Sequence, residues 1–290
     1  MNVVVFGASG TVGGPLLAEL VREHEVVAVS RAQRDEASTV TWKTADAADR
    51  GSVARLLEGA EVVYYLVHSL GRPDFEAEDL KAAETTAREA ERAGVKQLVY
   101  LGGLGDDSPN LSAHLRSRRE TGKRLSSTTV PVTTLRAAMV VGRGSAAFET
   151  IVALVNRLPA MVTPRWVSTR TQPVALPDVV AYLSGVCGLD AALGADYDVG
   201  GPEVMTYREM IERIARLRGK RPLIVEVPVL TPHLSSLWLH LVTPVNAGVA
   251  RPLIEGLRNE TIVHDDDRIR ELLPIELTSF DVAARVALGQ

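Results

Sequence analysis

Six short apolar runs rich in β-branched residues punctuate the first half of the chain, at 2–6, 26–30, 40–43, 61–67, 97–102 and 130–136. Most are apolar at consecutive positions instead of alternating, the pattern of strands buried on both faces. Between them lie longer stretches with apolar residues three and four apart, which predict helices around 13–23, 50–58, 75–93 and 110–127. Gly94, following Glu91-Arg92-Ala93, supplies a stop for the third helix. Strictly alternating strand and helix predicts an α/β fold, a doubly wound parallel sheet with helices on both faces. Such a sheet takes its ligand at the C-terminal ends of its strands.

Past about residue 160 the rhythm changes: Pro159, Pro164, Pro173 and Pro177 interrupt the chain and helical patterns dominate. Thr206-Tyr207-Arg208-Glu209 reads as a capping box opening a helix to about Leu217. One strand is expected to return to the sheet at 196–199, and another lies near 223–227. The expected division is a sheet domain over 1–160 and a smaller, mostly helical C-terminal substrate lobe over 161–290, interwoven with the sheet. In that lobe Leu234, Leu237, Trp238 and Leu241 form one apolar helical stripe, widened by Leu239 and Val242. With Pro164-Arg165-Trp166 and the apolar run 152–161, the stripe either roofs an apolar substrate pocket or is ordinary core or homodimer contact.

The turn after the first strand carries the first chemical signal. Val3-Val4-Val5-Phe6 runs directly into Gly7-Ala8-Ser9-Gly10-Thr11-Val12-Gly13-Gly14, and a helix follows from Pro15. Glycine at the first position permits a tight turn, at the second lets backbone approach a pyrophosphate, and at the third lets helix pack on strand. The helix N-terminus then turns free N–H groups toward the anion. This is the start of a Rossmann-type dinucleotide site, with Gly7, Gly10 and Gly13 as its frame and Ser9, Thr11 and Val12 between them. The second strand ends Val29-Ser30-Arg31, with no acidic residue until Asp35. A carboxylate there would bind the ribose 2′-OH of NAD and repel a 2′-phosphate, whereas Arg31 pairs with phosphate through its planar fork. The expected cofactor is therefore NADP(H), with NAD(H) as the second candidate.

Composition narrows the remaining classes. The chain has 290 residues, 46% of them hydrophobic and 23% charged, with a net charge of −4; nothing here points to nucleic acid as a partner. Its one cysteine, Cys187, sits in an apolar helical pattern and reads as a buried structural thiol. A single cysteine, and a first strand beginning at residue 2 with no secretion signal before it, make a cytoplasmic location the expectation. The segment between Glu226 and Arg251 carries no charged residue, but Pro228, Pro232 and Pro244 cut it into pieces too short to span a membrane. The six histidines show no metal-ligand spacing, Asp265-Asp266-Asp267 reads as a helix-start cluster, and no Gly-x-Ser-x-Gly elbow occurs.

The chain resembles the short-chain dehydrogenase/reductase superfamily in its atypical and extended branches, near the NmrA-like and complex-I-accessory-subunit-like NAD(P)-binding proteins. The resemblance rests on Gly7-x-x-Gly10-x-x-Gly13, Asp46 after the third strand and Tyr64-Tyr65-Leu66-Val67-His68-Ser69 at the fourth. Leu101-Gly102-Gly103-Leu104, Leu135-Arg136-Ala137-Ala138 leading to Val141-Gly142, and Asp198-Val199-Gly200-Gly201-Pro202-Glu203 extend it over nearly the whole chain. It implies that Asp46 meets the adenine amino group and that Leu66, Val67 and His68 line the nicotinamide-ribose side. Gly102 and Ala137, at the ends of their strands, complete the cofactor residues it implies.

Catalytic members of that superfamily protonate the carbonyl oxygen with a tyrosine, tuned by a lysine four residues on and helped by a serine about a dozen residues upstream. Here His114 stands for the tyrosine, Arg118 for the lysine, and Gly102 or Gly103 for the serine. Either His114 is a substitute general acid, with Arg118 binding ribose or an anion, or the site is silent and only nucleotide binding remains. The first reading gives an NADP(H)-dependent oxidoreductase acting on a small hydrophobic carbonyl, enone or quinone. The second gives a non-catalytic NAD(P)-binding redox sensor or assembly protein. An isomerase or epimerase using bound NAD is a third class, although such relatives normally keep the tyrosine.

Overall fold

The computed structural model describes residues 1–34, 40–69, 72, 74–105, 111–163, 165–226, 255–264 and 268–290. The strands used below are β1 (Asn2–Phe6), β2 (Glu25–Ser30), β3 (Thr41–Thr44), β4 (Val62–Tyr65), β5 (Gln97–Gly103), β6 (Val132–Ala137), β7 (Ala160–Thr163), β8 (Asp196–Val199) and β9 (Leu223–Glu226). The helices are α1 (Gly13–Leu20), α2 (Arg50–Leu57), α3 (Phe75–Ala93), α4 (Ala113–Leu125), α5 (Ala146–Arg157), α6 (Leu176–Gly185), α7 (Tyr207–Leu217) and α8 (Phe280–Leu288).

Seven strands form one sheet in the order β8-β6-β5-β4-β1-β2-β3, and every neighbouring pair is parallel. Because side chains alternate across a strand, Val3 and Val5 of β1 pack with Leu16, Leu17 and Leu20 of α1 and with Val179, Val180 and Leu183 of α6. Val4 and Phe6 enter a second core with Val53 and Leu57 of α2 and Ala83, Ala87 and Ala90 of α3. Two cores, one on each face, explain why the strands are apolar at consecutive positions. The strand order reverses between β1 and β4, which opens a crevice at their C-terminal ends.

A third core holds the C-terminal lobe together, with Phe148, Ile151 and Leu154 of α5, Met210, Ile211 and Ile214 of α7, and Phe280 and Ala284 of α8. Residue 160 does not separate the cores: α5 precedes it yet belongs to the lobe, while α6 and β8 follow it and return to the sheet. The capping box at α7 is complete, Thr206 Oγ1 accepting from Glu209 N at 3.2 Å and Glu209 Oε2 accepting from Thr206 N at 2.6 Å. Gly94 closes α3 with φ +72°. The strand expected at 223–227 forms as β9, but it pairs with β7 outside the main sheet.

Trp166 packs into the lobe core and meets Tyr207 edge-on at 6.1 Å, as ordinary core. The stripe of Leu234, Leu237, Trp238 and Leu241 lies outside the described residues, as do Asp35, Pro164 and Asp265-Asp266-Asp267. Cys187 lies just past α6 with its thiol pKa raised by burial, a state unsuited to a nucleophile. No helix among the described residues is long and apolar enough to cross a membrane.

Candidate active site

The glycine turn is built as its spacing demands. Gly7 has φ +80°, in the left-handed region, and a Cβ there would lie 2.6 Å from the Leu66 carbonyl oxygen. A Cβ on Gly13 would lie 2.5 Å from the Gly7 carbonyl oxygen and 2.7 Å from Ala8, so α1 can seat against β1 only with glycine at this position. Gly10 N donates to Gly7 O at 3.0 Å, which closes the turn. Val12 caps α1 without a side-chain hydrogen bond, Gly14 N donates to Gly10 O at 3.2 Å and Pro15 has no N–H, so the anion site is made by the amides at the very start of the turn into α1. An uncapped helix N-terminus over a glycine cradle fits a dinucleotide pyrophosphate.

A cleft of about 380 Å³ opens above this turn, and Gly7, Ser9, Gly10, Arg31, Asp46, Leu66, Val67 and His68 line it. Arg31 is exposed at the end of β2, and the Asp46 carboxylate is fixed by accepting from Ala48 N at 2.8 Å. β4 stops at Tyr65, short of the expected residue 67, so Leu66, Val67 and His68 turn off the strand into the cleft wall. Lys81 and Arg72 also line it, and sequence reasoning named neither.

Five of the expected cofactor residues are not part of that wall. Thr11 donates its hydroxyl to Gly144 O at 2.7 Å, Val12 packs against the α1/α6 core, and Gly13 lies beneath the turn. Ala137 is buried in the same core, with its carbonyl accepting from Leu104 N at 2.8 Å. Gly102 faces Tyr100, Thr134 and Arg136 and borders a second cleft of about 390 Å³ beside α4. Of the two candidate serine positions, Gly103 is the one facing α4, and there Leu115 and Arg118 already fill the space.

His114 and Arg118 occupy one face of α4, as a spacing of four requires. Their partners differ from those of a tyrosine–lysine pair. Arg118 stacks its guanidinium 5.1 Å above the Tyr100 ring, and its carbonyl accepts from the Tyr100 hydroxyl at 2.7 Å. His114 Nδ1 lies 3.1 Å from His68 Nε2, and His68 Nδ1 lies 2.7 Å from Asp79 Oδ2. Asp79 projects from the buried face of α3 and is only 2% exposed. Its other oxygen accepts from Ser69 N at 2.8 Å, and the Ser117 hydroxyl approaches Oδ2 at 3.3 Å.

Burial alone would raise the Asp79 pKa, but its hydrogen bonds from His68 and Ser69 outweigh that and hold it below the usual value. Burial lowers the His68 pKa more than its carboxylate partner raises it. Burial, His68 and Arg118 together push His114 down to about 3. At neutral pH the three groups are therefore one carboxylate and two neutral imidazoles. Among the described residues no cluster of His, Cys, Asp or Glu could hold a metal ion. Asp79 was missed because it reads as one more acid on a polar helix. Its signal was position: Phe75, Asp79, Ala82, Ala83, Thr86 and Ala90 form the buried stripe of α3.

Residues 7–150 match the NAD(P)H-binding family. Over 237 residues the chain is 29% identical to (4-alkanoyl-5-oxo-2,5-dihydrofuran-3-yl)methyl phosphate reductase of Streptomyces griseus, covering 77% of this chain and 76% of that protein. It is 24% identical over 239 residues to NADH dehydrogenase (ubiquinone) 1 alpha subcomplex subunit 9, mitochondrial, of Arabidopsis thaliana, covering 77% of this chain and 60% of that subunit's length. Triphenylmethane reductase of Citrobacter sp., crystallised with NADP(H), superimposes with a TM-score of 0.78 at 18% identity, over 99% of this chain and 100% of that one; this likeness is one of fold. These matches support an NAD(P)-binding protein of the atypical, NmrA-like branch of the short-chain dehydrogenase/reductase superfamily.

Proposed function

We propose that this protein is an NADP(H)-dependent oxidoreductase that passes hydride to or from a small hydrophobic carbonyl, enone or quinone. The observation that carries the reading is the hydrogen-bonded pair His68–His114, which joins the cleft wall to the position of the absent tyrosine. An imidazole there can exchange a proton with a developing alkoxide. The cofactor, when bound, supplies the hydride. Gly7, Gly10 and the start of α1 hold its pyrophosphate, Asp46 faces its adenine, and Leu66, Val67 and His68 line its nicotinamide-ribose side. Arg31 favours the 2′-phosphate of NADP(H), because among the described residues no carboxylate stands at the end of β2.

Two likenesses support a reductase. The Streptomyces griseus relative is named for a 5-oxo-2,5-dihydrofuran, a ring carbonyl conjugated to a double bond. The Citrobacter structure holds NADP(H). The test is oxidation of NADPH and of NADH against a panel of enones, quinones and apolar ketones. Turnover with NADPH preferred over NADH is the expected result. A second reading, a non-catalytic NAD(P)-binding sensor or assembly protein, draws on the complex I subunit relative and on the lost tyrosine, lysine and serine. Tight NADPH binding with no turnover on any member of the panel would replace the first reading with the second.

A further inference from the structure

The hydrogen-bond chain behind His114 reaches further than the substitution of one acid for another. Three segments converge on it: the loop after β4 gives His68 and Ser69, α3 gives Asp79, and α4 gives His114 and Ser117. His114 and Ser117 are three residues apart on α4 and so share the face turned toward α3. The Asp79 carboxylate has no escape to water, and a buried charge persists only where donors surround it. Ser69 N–H can only donate, which commits Oδ1 to accepting. Oδ2 faces the His68 ring and the Ser117 hydroxyl.

The tautomers follow by elimination. With Asp79 ionised, His68 Nδ1 carries a hydrogen and donates to it. A neutral His68 then has a lone pair on Nε2, so His114 must donate from Nδ1. That leaves a lone pair on His114 Nε2, which makes no hydrogen bond among the described residues. The charged and titratable groups facing the pair are Asp79 from α3 and Arg118 from α4. Arg118 opposes a positive charge on either ring, while Asp79 offsets it best on His68, which it touches.

We propose that Asp79, His68 and His114 form a proton relay in which His114 Nε2 exchanges the proton with the reacting oxygen while the charge rests on the His68–Asp79 pair. The proposal rests on the oxidoreductase reading and assigns its proton source. In the loaded state His68 is an imidazolium donating to both Asp79 and His114 Nδ1, and His114 is neutral with its hydrogen on Nε2. As hydride and its electron pair reach the carbonyl carbon, the C=O π pair moves onto oxygen. That oxygen takes the proton from His114 Nε2, whose N–H electrons stay on nitrogen. The His68 Nε2 proton then passes to His114 Nδ1. The products are the alcohol, NADP⁺, the Asp79 carboxylate and two neutral imidazoles, so charge balances, and one solvent proton reloads the chain. In the oxidation direction the resting lone pair on His114 Nε2 is the base. His114 is the catalytic residue, and His68 and Asp79 are positioning residues that set its tautomer and hold its charge.

The test reads tautomers before rates. Nitrogen-15 NMR of the full chain with NADP⁺ bound, at pH 7.5, assigns the hydrogen on each ring without any variant. Nδ1–H on both His68 and His114 is expected; Nε2–H on His114 beside a neutral His68 overturns the relay, because two lone pairs would then meet across the contact between the rings. Asp79→Asn should lower kcat for reduction by about 10²-fold or more and alter its pH profile, with NADPH affinity kept. A parental kcat and pH profile in that variant also overturns the relay, without touching the oxidoreductase reading. A parent with no turnover removes both together.

Discussion

At the scale of single residues, sterics and charge decide most of the site. Gly13→Ala pits a gain in helix propensity of about 1 kcal/mol against a Cβ placed 2.5 Å from the Gly7 carbonyl oxygen, which is backbone and cannot move aside. The clash wins, with an expected loss of about 1–3 kcal/mol and weakened NADPH binding, read by thermal unfolding and a fluorescence titration. Unchanged stability would mean that β1 and α1 are not packed this closely. Arg31→Ala should weaken NADPH by roughly 10–100-fold, as expected for one lost charge-assisted contact, and leave NADH within about twofold; equal effects on both would show that Arg31 does not meet the 2′-phosphate. The need for glycine at 7 and 13 was legible because short-range sterics fix it. Gly102 and Gly103 both border the second cleft beside α4, and the position closest to Leu115 and Arg118 is Gly103.

At the scale of elements, the helices announced themselves through caps and stripes. Thr206→Ala removes the hydroxyl that accepts from Glu209 N, leaves the backbone half of the capping box, and should cost about 1 kcal/mol, measured as a shift in the denaturant midpoint at constant slope. A shift indistinguishable from zero would mean that α7 is held by the lobe core alone. Strand ends were less legible: β4 gives out at Tyr65 because the chain must turn there to bring His68 over α3 and α4. That turn, and the pairing of His68 with Asp79 eleven residues later, are tertiary facts with no periodic signature. The buried stripe of α3 held the one clue, an acid flanked by Phe75 and Ala82 on the packed face.

At the scale of the whole molecule, the parallel sheet was readable because both of its faces are buried, so consecutive apolar positions and alternating elements pointed to the same architecture. The chain passes between the cores on both sides of residue 160, as an interwoven arrangement requires. The third core recruits α5 from one side of that point while α6 and β8 return to the sheet from the other. The same burial couples the site to folding. His114 is held near 3 in the fold against about 6.5 when unfolded, so between those values the unfolded chain binds the extra proton. Stability therefore rises with pH through this window and falls on acidification from pH 6.5 toward 4, by up to about 1.4 kcal/mol per pH unit from this group. Denaturant unfolding of parent and His114→Phe at pH 7 and pH 5 reads it: the parent should lose more stability than the variant, and equal losses would show that His114 is not buried neutral.

In the proposed function, an imidazole in the tyrosine position, backed by a carboxylate, supplies the proton of an oxidoreductase. Single-turnover hydride transfer from bound NADPH to a competent enone or quinone, compared between the parent and His114→Phe, tests it most directly. A loss of about 10²–10⁴-fold in the transfer rate with NADPH affinity unchanged is the expected result. Transfer at the parental rate in His114→Phe would contradict it.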